Sequence, residues 1–329
     1  MLRRFLTFML FLFFAGAALP LRAGCGSSSC PLDLNALNLP ATHRFSLDVS
    51  LQYVDQDQPR AGTRKVDVGD VPAHHDEVRT VNRISTATLT YAATDRLLLT
   101  ATLPFISRAH EHLASSHPHA GRIESQHNVV PESWDLHGIG DVALIARAKV
   151  RRSNLWVIGG LSLPTGANDV RNADGEVGEL PIQPGSGTTD VLAGLSYQGG
   201  LLRHSGVRGA MGDYATVPYF LSTTYRLRTG SGDRLGNELQ LNAGTAWPLT
   251  HSLEVLAQLN GRIRASDRLD DPEDAAMSGG RSLFASPGLR YTHRGSAIYA
   301  IVQVPLYQRV NVVQLTSDRN YVVGVQTRF

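Results

Sequence analysis

The last nine residues, YVVGVQTRF, alternate strictly, with Tyr321, Val323, Val325, Thr327 and Phe329 on one face of an extended strand and Val322, Gly324, Gln326 and Arg328 on the other. An amphipathic strand that closes on phenylalanine is the form taken by the final strand of a transmembrane β-barrel, whose last ring sits in the membrane interface and is read during assembly. Phe329 is therefore the expected assembly signal. The barrel assembly machinery is an expected partner, and outer-membrane lipid the expected surrounding.

At the other end Arg3 and Arg4 precede an almost purely apolar run from Phe5 to Ala18, which Pro20 soon interrupts and Ala23 follows. This reads as a secretory signal peptide processed after Ala23. The run is too short for a comfortable spanning helix, and no later stretch reaches about 18 consecutive apolar residues. The expected division is a signal peptide over 1–23, a periplasmic N-terminal segment with the cysteine pair over 24–42, and a membrane barrel over 43–329.

Composition fits a chain whose strand residues face lipid and water in turn: 42% of residues are hydrophobic and the mean hydropathy is −0.12. A formal charge of +2, with no basic stripe carrying interleaved aromatics, excludes nucleic acid as a partner class.

The alternation yields about twelve strands, near 45–53, 82–92, 96–108, 139–151, 154–164, 189–198, 217–229, 237–248, 252–264, 282–292, 296–307 and 320–329. The predicted fold is all-β, a transmembrane antiparallel up-and-down barrel. A strand of ten residues rises about 33 Å and, tilted by about 45°, spans about 24 Å of bilayer. Tight turns at 93–96, 151–154, 249–251 and 293–296 belong on the periplasmic side. Long polar loops at 55–81, 109–138, 165–188, 265–281 and 308–319 belong outside. The connection 199–216 is irregular, being long where a short one is expected. Tyr53, Tyr91, Tyr197, Tyr225, Trp247, Tyr291, Tyr307 and Tyr321 fall on outward registers and are expected to form two interfacial girdles.

The inward register carries Asp48, Asp141, Asp190, Glu238 and Glu254 against Arg147, Lys149, Arg226, Arg228, Arg262, Arg264, Arg290 and Arg328. Either these charges pair across the lumen and offset their own desolvation, or they line a narrow, weakly anion-favouring path.

Six segments then occur in an order that resembles a known family: YAATDRLLLTATLPFIS (91–107), GIGDVALIARAKV (138–150), GLSLPTG (160–166), PGSGTTDVLAGLSYQ (184–198), SPGLRY (286–291) and VQVPLYQRV (302–310). The chain is similar to the transporter-like outer-membrane barrels of the putative meta-pathway phenol degradation family. The resemblance implies a channel for small, apolar or aromatic compounds. Read singly, the segments are strand ends and glycine-rich turns: Leu163 to Gly166 ends a strand, and Gly138, Gly140 and the Gly185–Gly187 pair let the chain re-enter the barrel.

Two features bear on metal binding, each beside a plainer reading. Cys25 and Cys30, the only cysteines, are expected to form a disulfide in an oxidising compartment, with thiolate metal binding or lipidation of Cys25 as alternatives. The loop 109–138 holds His110, His112, His117, His119, His127 and His137; four of these, His110, His112, His117 and His119, form a candidate Zn or Cu site. Otherwise the loop is merely solvated and no cofactor is expected. HEHLASSH departs from the zincin pattern at Ala114, and no serine elbow is present, so the chain is not read as an enzyme. Three readings follow. The first is passive small-solute transport, the second a metal-linked outer-membrane protein, and the third a structural barrel without a permeation path.

Overall fold

The computed structural model describes residues 23–24, 32, 44–71, 75–115, 129–204 and 214–329. Its main feature is one antiparallel sheet of 13 strands that closes on itself. Two of these strands, Val129–Ile139 and Val142–Lys149, pair with successive stretches of the same neighbour, so they are one barrel strand broken at Gly140–Asp141. The barrel thus has 12 strands. They are β1 Phe45–Gln56, β2 His75–Thr94, β3 Leu97–Ser115, the two-part β4, β5 Leu155–Leu163, β6 Asp190–His204, β7 Tyr214–Arg228, β8 Glu238–Pro248, β9 Leu253–Arg264, β10 Gly280–His293, β11 Ser296–Val310 and β12 Asn320–Arg328.

Each strand pairs with its sequence neighbours, and β12 returns to β1 in a register running from Asn320 opposite Val54 to Arg328 opposite Ser46. The seam ends in a reciprocal backbone pair, Phe45 N to Phe329 O and Phe329 N to Phe45 O, both 3.0 Å. Stacking of Phe45 on Phe329 and on Tyr91 covers it. Closure leaves no unpaired sheet edge through the span, which is what lets strands lie in hydrocarbon, while above it Val129–Ile139 pairs on one side only, with β3.

Alternation sorts the side chains. Val49, Leu51, Leu89, Leu99, Leu103, Leu144, Val157, Leu161, Leu195, Leu259, Leu289, Ile298, Val323 and Val325 are exposed on the outer face, while inward positions are buried. Tyr53, Tyr225, Tyr307 and Tyr321 lie toward the loop end, and Tyr91, Tyr197, Trp247 and Tyr291 toward the turn end, as the two girdles require.

Several strands outrun their expected ends. β3 reaches Ser115 and β4 starts at Val129, so His110, His112 and His137 stand on strands and not in the solvated loop expected over 109–138. β2 begins at His75 inside the expected loop 55–81. The irregular connection at 199–216 is largely a hairpin extension, with Gln198 through His204 on β6 paired to Tyr214 through Phe220 on β7.

The long loops fold over the external mouth. Gln58–Ala61, Arg64–Lys65 and Val313–Thr316 form a small sheet there. The segment 164–189 carries a single 3-10 turn, Leu180–Ile182, and the helix α1, Pro272–Ala276, is capped by the Asp271 carboxylate, which accepts from Glu273 N at 2.7 Å. Ala23–Gly24 pair in parallel with Met277–Ser278, and Leu32 packs inside the barrel.

Candidate functional site

The lumen is layered. Toward the turn end, inward positions of five strands supply Phe220, Ala246, Leu256, Tyr299, Ile301 and Val322, one apolar cluster against which Leu32 packs. The polar exception is the Tyr299 hydroxyl, which donates to both carboxylate oxygens of Asp48 at 3.0 Å. A predicted lumen charge is thereby tied to the wall.

Above this lies an amide layer. Asn260 donates to Asn242 at 2.8 Å and to Gln258 at 3.2 Å and accepts from Ser286 at 2.6 Å, while Asn320 and Gln52 both donate to Gln303 at 3.3 Å. Each amide of this layer is held by its neighbour, as a low-dielectric interior demands. Higher still come ion pairs. Asp190, fully buried, receives Arg228 at 2.5 Å and Arg226 at 3.8 Å, Glu238 receives Arg262 at 2.7 Å, and Arg264 binds Asp267 at 2.5 Å. Arg290 meets Glu254 at 2.6 Å near the turn end, where Arg147 also faces inward. Most of these partners sit on adjacent strands: Asp190 lies opposite Arg228, and Glu254 opposite Arg290, in register. Asp190, Glu238 and Glu254 therefore pair along the wall and not across the opening.

Asp141 has a different task. Its carboxylate accepts from Gly166 N at 3.1 Å, Ser186 N at 2.9 Å and Ser186 Oγ at 2.5 Å. Thr165 Oγ1 accepts from Val142 N at 2.9 Å and donates to Gly140 O at 3.0 Å. Three segments noted in the sequence, at 138–141, 163–166 and 184–187, thus meet at one point. Gly166 is required there, since a Cβ would stand 2.6 Å from Gly185 Cα. The latch lays residues 178–186 into the mouth, where Ile182 packs on Trp134 and Leu136 and Pro181 O accepts from Arg108 at 3.1 Å.

His110 and His112 share one inward face beside Trp134, their rings 5.5 Å apart. His110 Nδ1 and Thr80 Oγ1 share a 2.8 Å hydrogen bond, and His112 Nε2 meets Glu132 at 3.0 Å. His117, His119, Cys25 and Cys30 lie outside the described residues. Among the described residues no group of three His, Cys, Asp or Glu is arranged to hold a metal. A cavity roofed by the loops is lined by Asp67, Asp76, Glu77, His112, Glu179 and Asp274, with apolar residues between them. Burial and the neighbouring charges of Asp274, Glu77 and Asp271 push the Glu179 carboxyl up to about 8.

No protein-family model matches the chain, and no curated protein matches it in sequence. Solved structures do. The COG4313 outer membrane channel from Pseudomonas putida F1 is 14% identical over 92% of this chain and 100% of that one, with a TM-score of 0.59. The chain shares that fold. A Pseudomonas aeruginosa FadL homologue (13% identity, 96% and 100% of the two chains, TM-score 0.45) and the Ralstonia pickettii toluene transporter TbuX (11%, 92% and 96%, 0.44) are also similar. Closed barrel, apolar belt and paired girdles place the protein in the outer membrane of a Gram-negative cell.

Sequence reasoning missed Phe220, Tyr299, Arg108 and Trp134. Phe220 shares the inward register of Arg226 and Arg228, so the alternation that placed those charges would have placed it too. Arg108 and Trp134 fell in a stretch read as the end of a strand and a loop.

Proposed function

We propose that the protein is a passive outer-membrane channel for small, uncharged apolar or aromatic compounds. The supporting observation is the inward apolar layer of Phe220, Ala246, Leu256, Ile301 and Val322. A barrel that passed only water and ions gains nothing by desolvating its own wall, whereas an apolar solute leaves water on meeting it. Asp190, Glu238 and Glu254 are held by adjacent-strand arginines, which leaves only the basic excess of the inward register to act on an ion. The ordered segments that resemble the meta-pathway phenol degradation family are in keeping with this reading, and three of them build the latch at Asp141.

Planar bilayers test it. An uncharged monoaromatic added to one side should reduce the ionic current through the parent protein in a concentration-dependent way, and Phe220→Asp should weaken that block by about tenfold, since a carboxylate in the layer stays hydrated. Equal block of both proteins, or none, would contradict the proposal.

A second reading rests on His110 and His112. Transition-metal capture would need further ligands, such as His117 and His119. Replacing all four by Ala should abolish tight Zn or Cu binding in a calorimetric titration if the loop is a metal site. Heat release unchanged by the replacement removes that reading.

A further inference from the structure

We infer that the external rim over β10 and β11 is a clamp for the phosphate groups of an outer-leaflet glycolipid, formed by Arg281 and Arg309. The two arginines lie directly opposite each other in register, one pair below the last pair of the hairpin, Gly280 with Val310. The next pair on the same face toward the bilayer is Leu283 with Tyr307, and Arg281 is flanked on β9 by Ile263. Tyr307 is exposed on the lipid-facing side, so alternation points both guanidinium groups outward, at the level where the external girdle ends and headgroups begin.

Two like charges opposite one another on neighbouring strands repel. Three other cations of this rim are engaged. Arg79 binds Asp55 at 2.6 Å, Lys65 binds Asp318 at 2.7 Å, and Arg83 lies over the Tyr53 ring at 6.0 Å. Among the described residues, Arg281 and Arg309 have no ion-pair or side-chain hydrogen-bond partner. The β-bulge between Leu283 and Phe284 places Leu306 and Tyr307 consecutively on the lipid side beneath them. The result is an apolar and aromatic footing under an uncompensated pair of forked donors. A phosphorylated glycolipid fits both: its acyl chains lie on the footing, and one phosphate bridges the two guanidinium groups, converting repulsion into charge-assisted hydrogen bonds. The same rim segment, Val302 to Val310, is one of the six that occur in order.

The test uses full-length protein purified from outer membranes, with thermal unfolding read as the heat-induced gel mobility shift. Probes are lipopolysaccharide, the same lipopolysaccharide stripped of its lipid phosphates, and inorganic phosphate. Lipopolysaccharide should raise the parent's unfolding temperature, and the double variant Arg281→Gln/Arg309→Gln should need at least about tenfold more lipid for the same rise. Arg294→Gln, on the opposite face, should behave as the parent. Should the double variant fail to fold, each single variant carries the same comparison. Equal response of parent and variant overturns the clamp. So does equal response to the dephosphorylated lipid, or full reproduction of the effect by inorganic phosphate.

Discussion

Replacing Asp141 by Ala removes the acceptor for two backbone N–H groups, those of Gly166 and Ser186, in the mouth of the barrel. Stranding them should cost about 2–4 kcal/mol, seen as a lower unfolding temperature, and should also raise single-channel conductance as residues 178–186 leave the mouth. Unchanged conductance would show that the latch does not restrict the opening. The wall pairs make a graded set. Asp190→Asn abandons Arg228, only 8% exposed, and should cost about 3–5 kcal/mol, whereas Glu254→Gln, with a side chain 25% exposed, should cost about 1 kcal/mol or less. Urea titration of both variants checks the order, and equal losses would contradict it. The inward position of these residues was legible from alternation alone. Their pairing was not, because it depends on register between strands, and the partners of Asp141 lie 25 and 45 residues away.

At the scale of elements, strands were legible where lipid imposes the pattern and faded where it does not. The lipid-facing portions of β1, β9 and β12 alternate apolar with polar and were placed to within a few residues. The upper ends of β2, β3 and β4 stand beyond the bilayer, where an outward Glu111 or Asp135 is as acceptable as a leucine, so HEH and WDLH read as loop. The mouth loops have their own pH dependence. Glu179 is raised from its ordinary value of 4.5 to about 8, so the folded mouth binds the proton that the released loop gives up. Its contribution to loop closure is full below pH 4.5 and is lost as pH rises to about 8. Hydrogen exchange of residues 178–186 should quicken across that window beyond its intrinsic rise, and Glu179→Gln should abolish the excess. An identical pH profile in the variant would refute the assignment.

For the whole molecule, an even strand count puts both chain ends of the barrel on one side, the turn side, and sends the loops after β1, β3, β5, β7, β9 and β11 outward. An epitope inserted at Gly232, which has open space around it, in the loop between β7 and β8 should therefore be reached by antibody on intact cells. Labelling only after permeabilisation would invert the topology. Closure, belt and girdles were all readable from the chain because the bilayer imposes one repeating rule on every strand. The filling of the lumen was not, because side chains facing each other across a barrel obey no sequence period. The most direct test of the central claim is the initial uptake of a labelled, uncharged monoaromatic by cells with a channel-poor outer membrane, with and without this protein. Uptake several-fold faster with the parent, and returned to background by Phe220→Asp at equal surface abundance, is the predicted result. The same rate with and without the protein would contradict it.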